Sequence, residues 1–569
     1  MAGDKEKVRY KLERRGIAGG VGWFSCIPES ELDFQKAFDC LRECPNDQFM
    51  HKYLLELAGK LEPEELGSLI KEGQNKGNLH LLTVAYETCL LTARYQHMLK
   101  AFETIDTKEL SQNSPLIYVA WSLVKNADNI TYWLRQFARN ANMHCPMPSP
   151  EETECTIPFD LKAIEQWKSS IVNIQEISPN RISSKTILHG TAPKETARKI
   201  SRKLERLGII TGWETRPDTT ISPYAIERPW FLDVTVHNGR NNWRLSGSPI
   251  SYGRGLNIHQ GRISCLMEAV ERYSAFASFD SDSALGYKNN TTLIKARHED
   301  LIKKGFEALN PNDMCLEVPY RNNELHWIVG EQVDQEGCQP VYVPAQLVFL
   351  FSNLDETSLT SGLPSNGLAA GHTLQEARLG SLLEVLERDA EKVVPYSTDK
   401  CFLLEAEDQK TSEIIDLCKQ KGIQIQFLDI TSEFGVPCYK AFIQGPGGII
   451  LKGSGAHLDG KRAALAAMTE TPYPYPFWFG SMPAPEGSAV REYEALPNYS
   501  SGDTAQDLHL LEKLLINNGY RPVYIDLTRE ELDIPVVKCL VPGLEIMTVL
   551  DRFSPLNIRQ FGHYLKAYS

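Results

Sequence analysis

A short pattern of charged residues occurs twice in this chain and constrains its fold more than any other feature. It reads Glu-Ala-Val-Glu-Arg at 268–272 and Glu-Val-Leu-Glu-Arg at 384–388. The residues upstream also correspond, because Arg262 and Leu266 align with Arg378 and Leu382. The duplication predicts two related helices with one shared task.

The spacing of the first copy gives its helix one polar and one apolar side. At about 100° per residue, Ser264, Glu268 and Glu271 share one face of a helix. The opposite face is apolar and should pack in the core; it carries Ile263, Leu266 and Val270.

The second copy has the same division into two faces. Glu384, Glu387 and Arg388 gather on one side, and Glu376 lies two turns earlier. The apolar side carries Leu379, Leu382 and Leu386. We therefore expect the two acidic faces to converge on one site.

Converging carboxylates repel one another unless a cation neutralises them. Hard oxygen ligands without a cysteine or histidine cluster favour Mg²⁺, which proteins usually bind together with phosphates. Arg272 and Arg388 beside these carboxylates fit phosphate oxygens in a planar fork. The alternative is a pair of ordinary amphipathic helices with solvated Glu/Arg faces. The duplication favours a site.

Length and composition limit the classes of protein that this chain can belong to. Its 569 residues exceed what one hydrophobic core supports and predict several structural units. A net charge of −13, without basic runs interleaved with aromatic residues, argues against a nucleic-acid partner. Thirteen scattered cysteines without a CxxC pair predict a reducing cytoplasm and no zinc ribbon. No stretch of the sequence is long and apolar enough to predict export or membrane insertion.

The pattern of residues along the chain predicts three parts. Residues 1–150 are predicted to form an all-α bundle or short solenoid for docking or support, because Leu, Ala, Glu and Lys recur at helical spacing. Residues 151–180 follow a Pro-rich polar segment and are predicted to be a linker. Residues 181–569 mix helix-like and strand-like runs, which predicts an α/β (mixed α+β) catalytic unit.

Glycine-rich segments precede both acidic helices. Gly253-Arg-Gly255 comes before the first and Ser365-Asn-Gly-Leu-Ala-Ala-Gly-His372 before the second. Glycines ahead of a helix let backbone N–H groups approach an anion at the positive helix end. Their place before both helices supports a bound nucleotide.

Three ordered segments together resemble the YcaO-domain family. They are Ser251-Tyr-Gly-Arg-Gly-Leu, Ser264-Cys-Leu-Met-Glu-Ala-Val-Glu-Arg-Tyr, and the stretch from Ser365 through Glu384-Val-Leu-Glu-Arg-Asp-Ala. Two further segments match, one ending at Glu470 and one running from Ile534 to Glu545. The resemblance covers about two thirds of the chain.

The resemblance implies an enzyme that uses ATP and Mg²⁺ to phosphorylate the oxygen of a peptide or protein backbone amide. A nucleophile then attacks: a Cys, Ser or Thr side chain gives an azoline, and a sulfide source gives a thioamide. By position, the resemblance assigns Mg²⁺ and ATP-phosphate binding to these residues: Ser264, Glu268, Glu271, Arg272, Glu376, Glu384, Glu387 and Arg388. Arg254 would contact phosphate, His372 stands where relatives often have Asn, and Thr196 falls near a hydroxyl used for nucleotide binding.

Two departures from the family pattern bear on the reaction. A Pro/aromatic run, Thr471-Pro-Tyr-Pro-Tyr-Pro-Phe-Trp-Phe-Gly480, replaces a Gln-x-Arg segment; it either shapes a substrate channel or is a rigid packed loop. The C-terminus lacks the proline-rich tail of azoline-forming members, which favours a sulfur donor and a thioamide.

Several alternatives stay open on the sequence alone. The chain could be a nucleotide-binding accessory factor for a sulfur-transfer system of the ribosomal protein S12 methylthiolation type, or an azoline-forming cyclodehydratase. The expected partners are a peptide or protein substrate, a sulfur-donor or accessory protein and, from the resemblance only, a second copy of the chain.

Overall fold

A computed structural model of the chain describes residues 8–15, 23–180, 193–217, 220–289, 291–472, 480–547 and 549–568. Within these ranges the α-helices are α1 (Phe34–Glu43), α2 (Gln48–Ala58), α3 (Pro63–Lys76), α4 (Leu79–Leu91), α5 (Thr107–Gln112), α6 (Tyr118–Ser122), α7 (Ala127–Met143), α8 (Leu161–Ser170), α9 (Ile174–Ile177), α10 (Pro193–Arg206), α11 (Ile258–Ala275), α12 (His298–Lys303), α13 (Leu374–Val393), α14 (Gln409–Gln420), α15 (Gly460–Glu470), α16 (Thr504–Asn517) and α17 (Ile558–Lys566). Short 3₁₀ helices occupy Ala93–Phe102, Pro311–Asp313, Ala345–Leu347, Thr398–Lys400, Pro446–Gly448 and Tyr493–Ala495.

The strands of the described residues form four sheets. They are β1 (Val8–Arg15), β2 (Trp23–Pro28), β3 (Tyr224–Pro229), β4 (Leu232–Asn238), β5 (Asn241–Gly247), β6 (Ile250–Gly255), β7 (Phe279–Asp280), β8 (Ser283–Ala284), β9 (Ile294–Ala296), β10 (Leu325–Asp334), β11 (Gly337–Pro344), β12 (Leu368–Ala370), β13 (Cys401–Glu405), β14 (Gln426–Asp429), β15 (Cys438–Gln444), β16 (Ile450–Ala456), β17 (Ala489–Glu492), β18 (Val523–Asp526) and β19 (Val536–Leu540). The strand orders are β2-β1-β5-β4-β7-β8, β11-β10-β18-β19-β12 with β9 beside β10, β16-β15-β14-β13-β17, and β3-β6. The predicted mixed α/β class is confirmed.

The described residues before Phe34 form two strands and no helix, so the all-α prediction for residues 1–150 is wrong at residues 8–15 and 23–28. Strand β1 pairs antiparallel with β2 and parallel with β5, where Val8 lies opposite Trp243. Tyr10, which is fully buried, packs edge-on against Trp243 at 6.3 Å between ring centroids. Val8, Tyr10 and Leu12 alternate with charged residues, which is the period of a half-buried strand, and the all-α prediction overlooked it. The helices α1 and α2 share a hydrophobic cluster with this sheet.

Residues 151–180, predicted to be a linker, contain two helices. Asp160 and Asn173 cap α8 and α9 by accepting backbone N–H groups through their side chains. Ile174 is fully buried and donates its N–H to the Phe434 carbonyl at 2.9 Å. The division of the chain into three domains at these boundaries stays a prediction.

Strand β19 positions the two acidic helices relative to each other. Its Val536 and Leu540 belong to the cluster that contains the apolar face of α11, whereas Val537 and Cys539 belong to the cluster of α13. Because successive side chains of a strand point to opposite faces, α11 and α13 pack on opposite faces of this sheet. Both helices also contact the edge strand β12, and their polar faces can meet around that edge.

Polar caps fix where both acidic helices begin. The side chain of Asn257 accepts the N–H groups of His259 and Gln260 at the start of α11. The hydroxyl of Thr373 accepts the N–H of Glu376 at the start of α13. Caps of this kind satisfy N–H groups that have no partner within the helix. Among the described helices, none combines the length and apolarity that a membrane span needs.

Candidate functional site

The strand before α11 lies in close contact with the helix. A side-chain carbon at Gly253 would come within 2.2 Å of the backbone nitrogen of Cys265, so only glycine fits there. This approach allows the N–H of Tyr252 to donate a 2.7 Å hydrogen bond to Oε2 of Glu268. The predicted glycine-rich lead-in therefore brings β6 against the acidic helix.

Glu268, Glu271 and Arg272 form a half-buried group on α11. Arg272 Nε lies 3.8 Å from Oε1 of Glu268, and its Nη1 lies 3.2 Å from Oε1 of Glu271. The buried Nη1 makes no hydrogen bond with any described residue, which leaves a donor available. Burial raises the pKa of Glu268, and the positive charge of Arg272 opposes that rise.

Glu271 of α11 and Glu384 of α13 meet between the helices. Burial raises the pKa of Glu271 well above its ordinary value, and the negative charges of Glu384 and Glu268 raise it further. Burial also raises the pKa of Glu384, against the opposing charges of Arg388, Arg272 and Lys538. Glu384 of one helix therefore acts on Glu271 of the other, and their membership of one binding site stays a prediction.

Lys538 of β19 lies in this same region and is 1% exposed. Burial lowers the pKa of Lys538 to about 8, while Glu384 and Glu271 oppose that shift. Its ammonium donates a hydrogen bond to the backbone carbonyl of Asn366, in the glycine-rich segment before α13. A buried cation thus stands beside both acidic helices.

Glu387 and Arg388 continue the charged surface along α13. Burial raises the pKa of Glu387 to about 8, with Glu470 and Glu391 raising it further. Oε2 of Glu387 accepts the N–H of Ala456 at 3.1 Å. Arg388 lies 3.6 Å from Glu387 and donates a 3.2 Å hydrogen bond to Glu391.

Arg254 reaches the group from the end of β6. Its Nη1 lies 3.2 Å from Oε1 of Glu470, the last residue of α15. Arg254 also opposes the raised pKa of Glu268 by its positive charge. The side chains of Arg254 and Glu470 remain 32% and 40% exposed, so a ligand can reach this edge of the site.

Four other predicted residues lie further from the carboxylates or contact only their own helix. Ser264 is exposed on α11, one turn before Glu268. Glu376 accepts the N–H of the exposed His372 at 2.8 Å, and lies about 12 Å along the helix axis from Glu384. Thr196 is buried on α10, which packs against α11. Nucleotide contacts of these four stay predictions.

Sequence reasoning assigned no role to Lys538, Glu470 or Glu391. A lysine in the apolar strand sequence Val-Val-Lys-Cys-Leu was the one local signal, because a buried lysine requires a charged partner. Glu470 carries no such signal, since a long-range contact with Arg254 brings it to the site, whereas Glu391 lies one turn after Arg388 on α13 and could have been placed on the same face by helical spacing.

The donor set fits Mg²⁺ and phosphates. Glu384 and Glu268 both raise the pKa of Glu271, and Glu470 raises that of Glu384, so a divalent cation would relieve repulsion among these carboxylates. Among the described residues, no three acidic, histidine or cysteine side chains already form a metal-binding group. Mg²⁺ at this site would take part of its ligand shell from phosphate oxygens, as is usual for this ion. The guanidinium groups of Arg272 and Arg388 have the geometry to donate to such oxygens, and this role stays a prediction.

A family model and a protein of known sequence are similar to large parts of this chain. A family model described as "YcaO cyclodehydratase, ATP- and Mg²⁺-binding" matches residues 252–472 and 477–545. An uncharacterized protein of Methanothermobacter thermautotrophicus is 26% identical over 401 residues, which covers 63% of this chain and 95% of that protein.

Solved structures are similar over the same part of the chain. A heterocyclase in complex with substrate and cofactor aligns with a TM-score of 0.51 and 19% identity, over 69% of this chain and 59% of that one. YcaO from Methanopyrus kandleri, bound with AMPPCP and Mg²⁺, aligns with a TM-score of 0.46 and 25% identity, over 64% of this chain and 94% of that one. The first match identifies the fold.

Proposed function

Because this chain belongs to the YcaO family of ATP- and Mg²⁺-dependent enzymes, we propose that it activates a backbone amide of a peptide or protein. The amide oxygen attacks the γ-phosphorus of ATP, an O–P bond forms, and the bond to the leaving ADP breaks. A nucleophile then adds to the amide carbon, and phosphate leaves with the former amide oxygen.

One observation carries the proposal: Glu271 and Glu384, from two helices, lie together beside Arg272, Arg388 and Lys538. An amide oxygen is a weak nucleophile, so acceleration must come from positioning and from charge neutralisation at the transferring phosphoryl group. Bound Mg²⁺ would supply part of that neutralisation, and the two arginines would supply the rest.

For the nucleophile we propose a sulfide donor, which would convert the amide to a thioamide. Hydrosulfide adds through a C–S bond, and departure of phosphate leaves sulfur in place of oxygen.

Mass spectrometry of a peptide library incubated with the protein, ATP, Mg²⁺ and sulfide tests the proposal. Exchange of oxygen for sulfur raises the peptide mass, whereas azoline formation lowers it by one water. We expect the mass increase, accompanied by one ADP and one phosphate per modified amide. Loss of water without added sulfide would replace the thioamide proposal with cyclodehydration.

Matched variants assign the activity to the site. Glu268→Gln and Glu384→Gln should abolish turnover, and Glu413→Gln, an exposed residue of α14, should leave it unchanged. Calorimetry with Mg²⁺-ATP separates enzyme from scaffold. Binding without turnover on any peptide would favour an accessory factor that uses ATP to control association, and absence of binding would overturn the site assignment.

A further inference from the structure

A basic groove lies between α10 and α11, on the side of α11 away from its carboxylates. It has a volume of about 410 Å³, and its lining includes Arg262, Cys265 and Leu266 of α11. At 100° per residue Arg262 and Leu266 point away from Glu268 and Glu271, whereas Cys265 lies at the border between the two faces. The groove is therefore separate from the carboxylates of the candidate site.

Helix α10 makes this groove basic in a chain with a net charge of −13. The helix carries six basic and two acidic residues, and Lys194, Arg198 and Arg202 face the groove. Arg198 and Arg202 are exposed and form no ion pair with any residue that the structure describes. Arg202 lowers the pKa of Glu205, yet five Lys and Arg side chains line the groove against two glutamates, and this excess of positive charge attracts an anionic partner.

The acidic residues of the groove are already engaged by other arginines. Glu205 receives a 2.8 Å hydrogen bond from Arg228, and Glu214 is bound by Arg262 at 2.7 Å. The buried Nε of Arg228 makes no hydrogen bond with a described residue. A hydrogen-bond acceptor on a ligand would give this Nε a partner.

An exposed tryptophan, Trp213, directly precedes Glu214, which lines the groove. Trp213 is 91% exposed, the highest value among the large apolar residues described. The backbone beside it is fixed, because Thr215 and Glu227 exchange hydrogen bonds of 3.0 and 2.9 Å. Gly212 packs against Pro229 so closely that a Cβ would lie 2.1 Å from the proline ring. Tryptophan and arginine dominate the binding energy of interfaces.

We propose that this groove and Trp213 form a docking surface for an acidic peptide segment that carries apolar side chains. Carboxylates of the segment would pair with Arg198 and Arg202, and an apolar side chain would cover the indole of Trp213. On the proposed function, this segment belongs to the peptide or protein substrate. Docking outside the catalytic carboxylates would raise the local concentration of the amide to be activated.

Fluorescence anisotropy with three labelled peptides tests this proposal: one alternates Glu with Leu, one Glu with Ser, and one Lys with Leu. We expect the Glu/Leu peptide to bind most tightly, and its affinity to fall as salt screens the arginines. The double variant Arg198→Glu/Arg202→Glu should weaken that binding by about tenfold or more. Trp213→Ala should weaken the Glu/Leu peptide but not the Glu/Ser peptide.

The matched control is Lys199→Glu/Arg206→Glu, which makes the same change of charge on exposed residues of α10 that do not line the groove. It should change affinity by less than about twofold. Equal losses in both double variants, or no loss in either, would overturn the proposal. An oligomeric state that changes in Trp213→Ala while peptide binding persists would assign the surface to a second copy instead.

Calorimetry with Mg²⁺-ATP keeps this test independent of the proposed function. Both double variants should bind nucleotide as the wild type does. Nucleotide binding and turnover with unaltered peptide affinity in Arg198→Glu/Arg202→Glu would leave the proposed function standing and remove the docking surface. Peptide binding by a wild-type protein that binds no nucleotide would leave the docking surface standing and overturn the proposed function.

Discussion

Lys538 donates a hydrogen bond of 2.6 Å from its ammonium to the backbone carbonyl of Asn366. The bond joins the central strand β19 to the segment that enters α13. The same ammonium opposes the negative charges of Glu384 and Glu271. The Lys538 side chain therefore fixes the backbone before the acidic helix α13 and offsets negative charges on both α11 and α13.

Replacement of this lysine by methionine should lower the free energy of unfolding by about 3 kcal/mol, because it removes one of the cations that offset the buried carboxylates of Glu271 and Glu384. Mg²⁺ should restore more stability to Lys538→Met than to the wild type, since the ion replaces the lost charge. Thermal unfolding with and without Mg²⁺ measures this difference. Equal stabilisation of both proteins would contradict it.

Glu384→Gln should separate activity from stability. Burial already disfavours the charged form of Glu384, so a neutral isostere should leave the midpoint of thermal unfolding unchanged or raise it by about 3 °C. Turnover should fall by about a hundredfold or more, because the site loses a group that binds the metal. A variant that unfolds at a much lower temperature would assign Glu384 a structural role.

The contact between Arg559 of α17 and the second acidic helix, α13, is expected to stabilise the fold. It donates hydrogen bonds of 2.6 and 2.5 Å to the carboxylate of Asp389, the residue after Arg388. Arg559→Met should cost about 3–5 kcal/mol, since it leaves Asp389 buried without a cation. The double variant Arg559→Met/Asp389→Leu should recover part of that loss. Denaturant unfolding of both variants tests this, and no recovery would contradict it.

The buried side chain of His144 predicts how the stability of the protein changes at acid pH. Burial lowers the pKa of His144 to about 3, with Lys440 and Lys452 adding to the shift, and the ring stacks on Tyr396. Between that value and an ordinary pKa near 6.5, the unfolded chain binds a proton that the folded chain does not. Stability should therefore fall as the pH falls through this window.

Comparison with His144→Phe isolates the contribution of this residue. Thermal unfolding at several pH values should show a smaller loss at acid pH in the variant than in the wild type. Parallel curves for the two proteins would contradict the assignment.

The sequence predicted the two acidic helices well because their pattern is local. Leu266, Val270, Leu382 and Leu386 are buried, as the helical spacing required. Contacts between distant segments had no comparable signal. Glu470 reaches Arg254 from 216 positions away along the chain, and no periodicity in either segment indicates that contact.

Two other regions, the first strand and the Pro/aromatic run, were not predicted from the sequence for other reasons. Charged residues alternate with Val8, Tyr10 and Leu12, which is itself the period of a half-buried strand, but no local signal indicates its parallel partner around Trp243. Residues 473–479 of the Pro/aromatic run lie outside the described residues, and their place near a substrate channel stays a prediction.

The pairing of β1 with β5 has a consequence for the order of events during synthesis. The first strand can find its parallel neighbour only after residues 241–247 have left the ribosome. Until then Tyr10 and the inner surfaces of α1 and α2 lack the Trp243 side of their cluster. The amino-terminal third must therefore wait for translation of a later segment, and slowing elongation before residue 247 would prolong its exposure to proteases and chaperones.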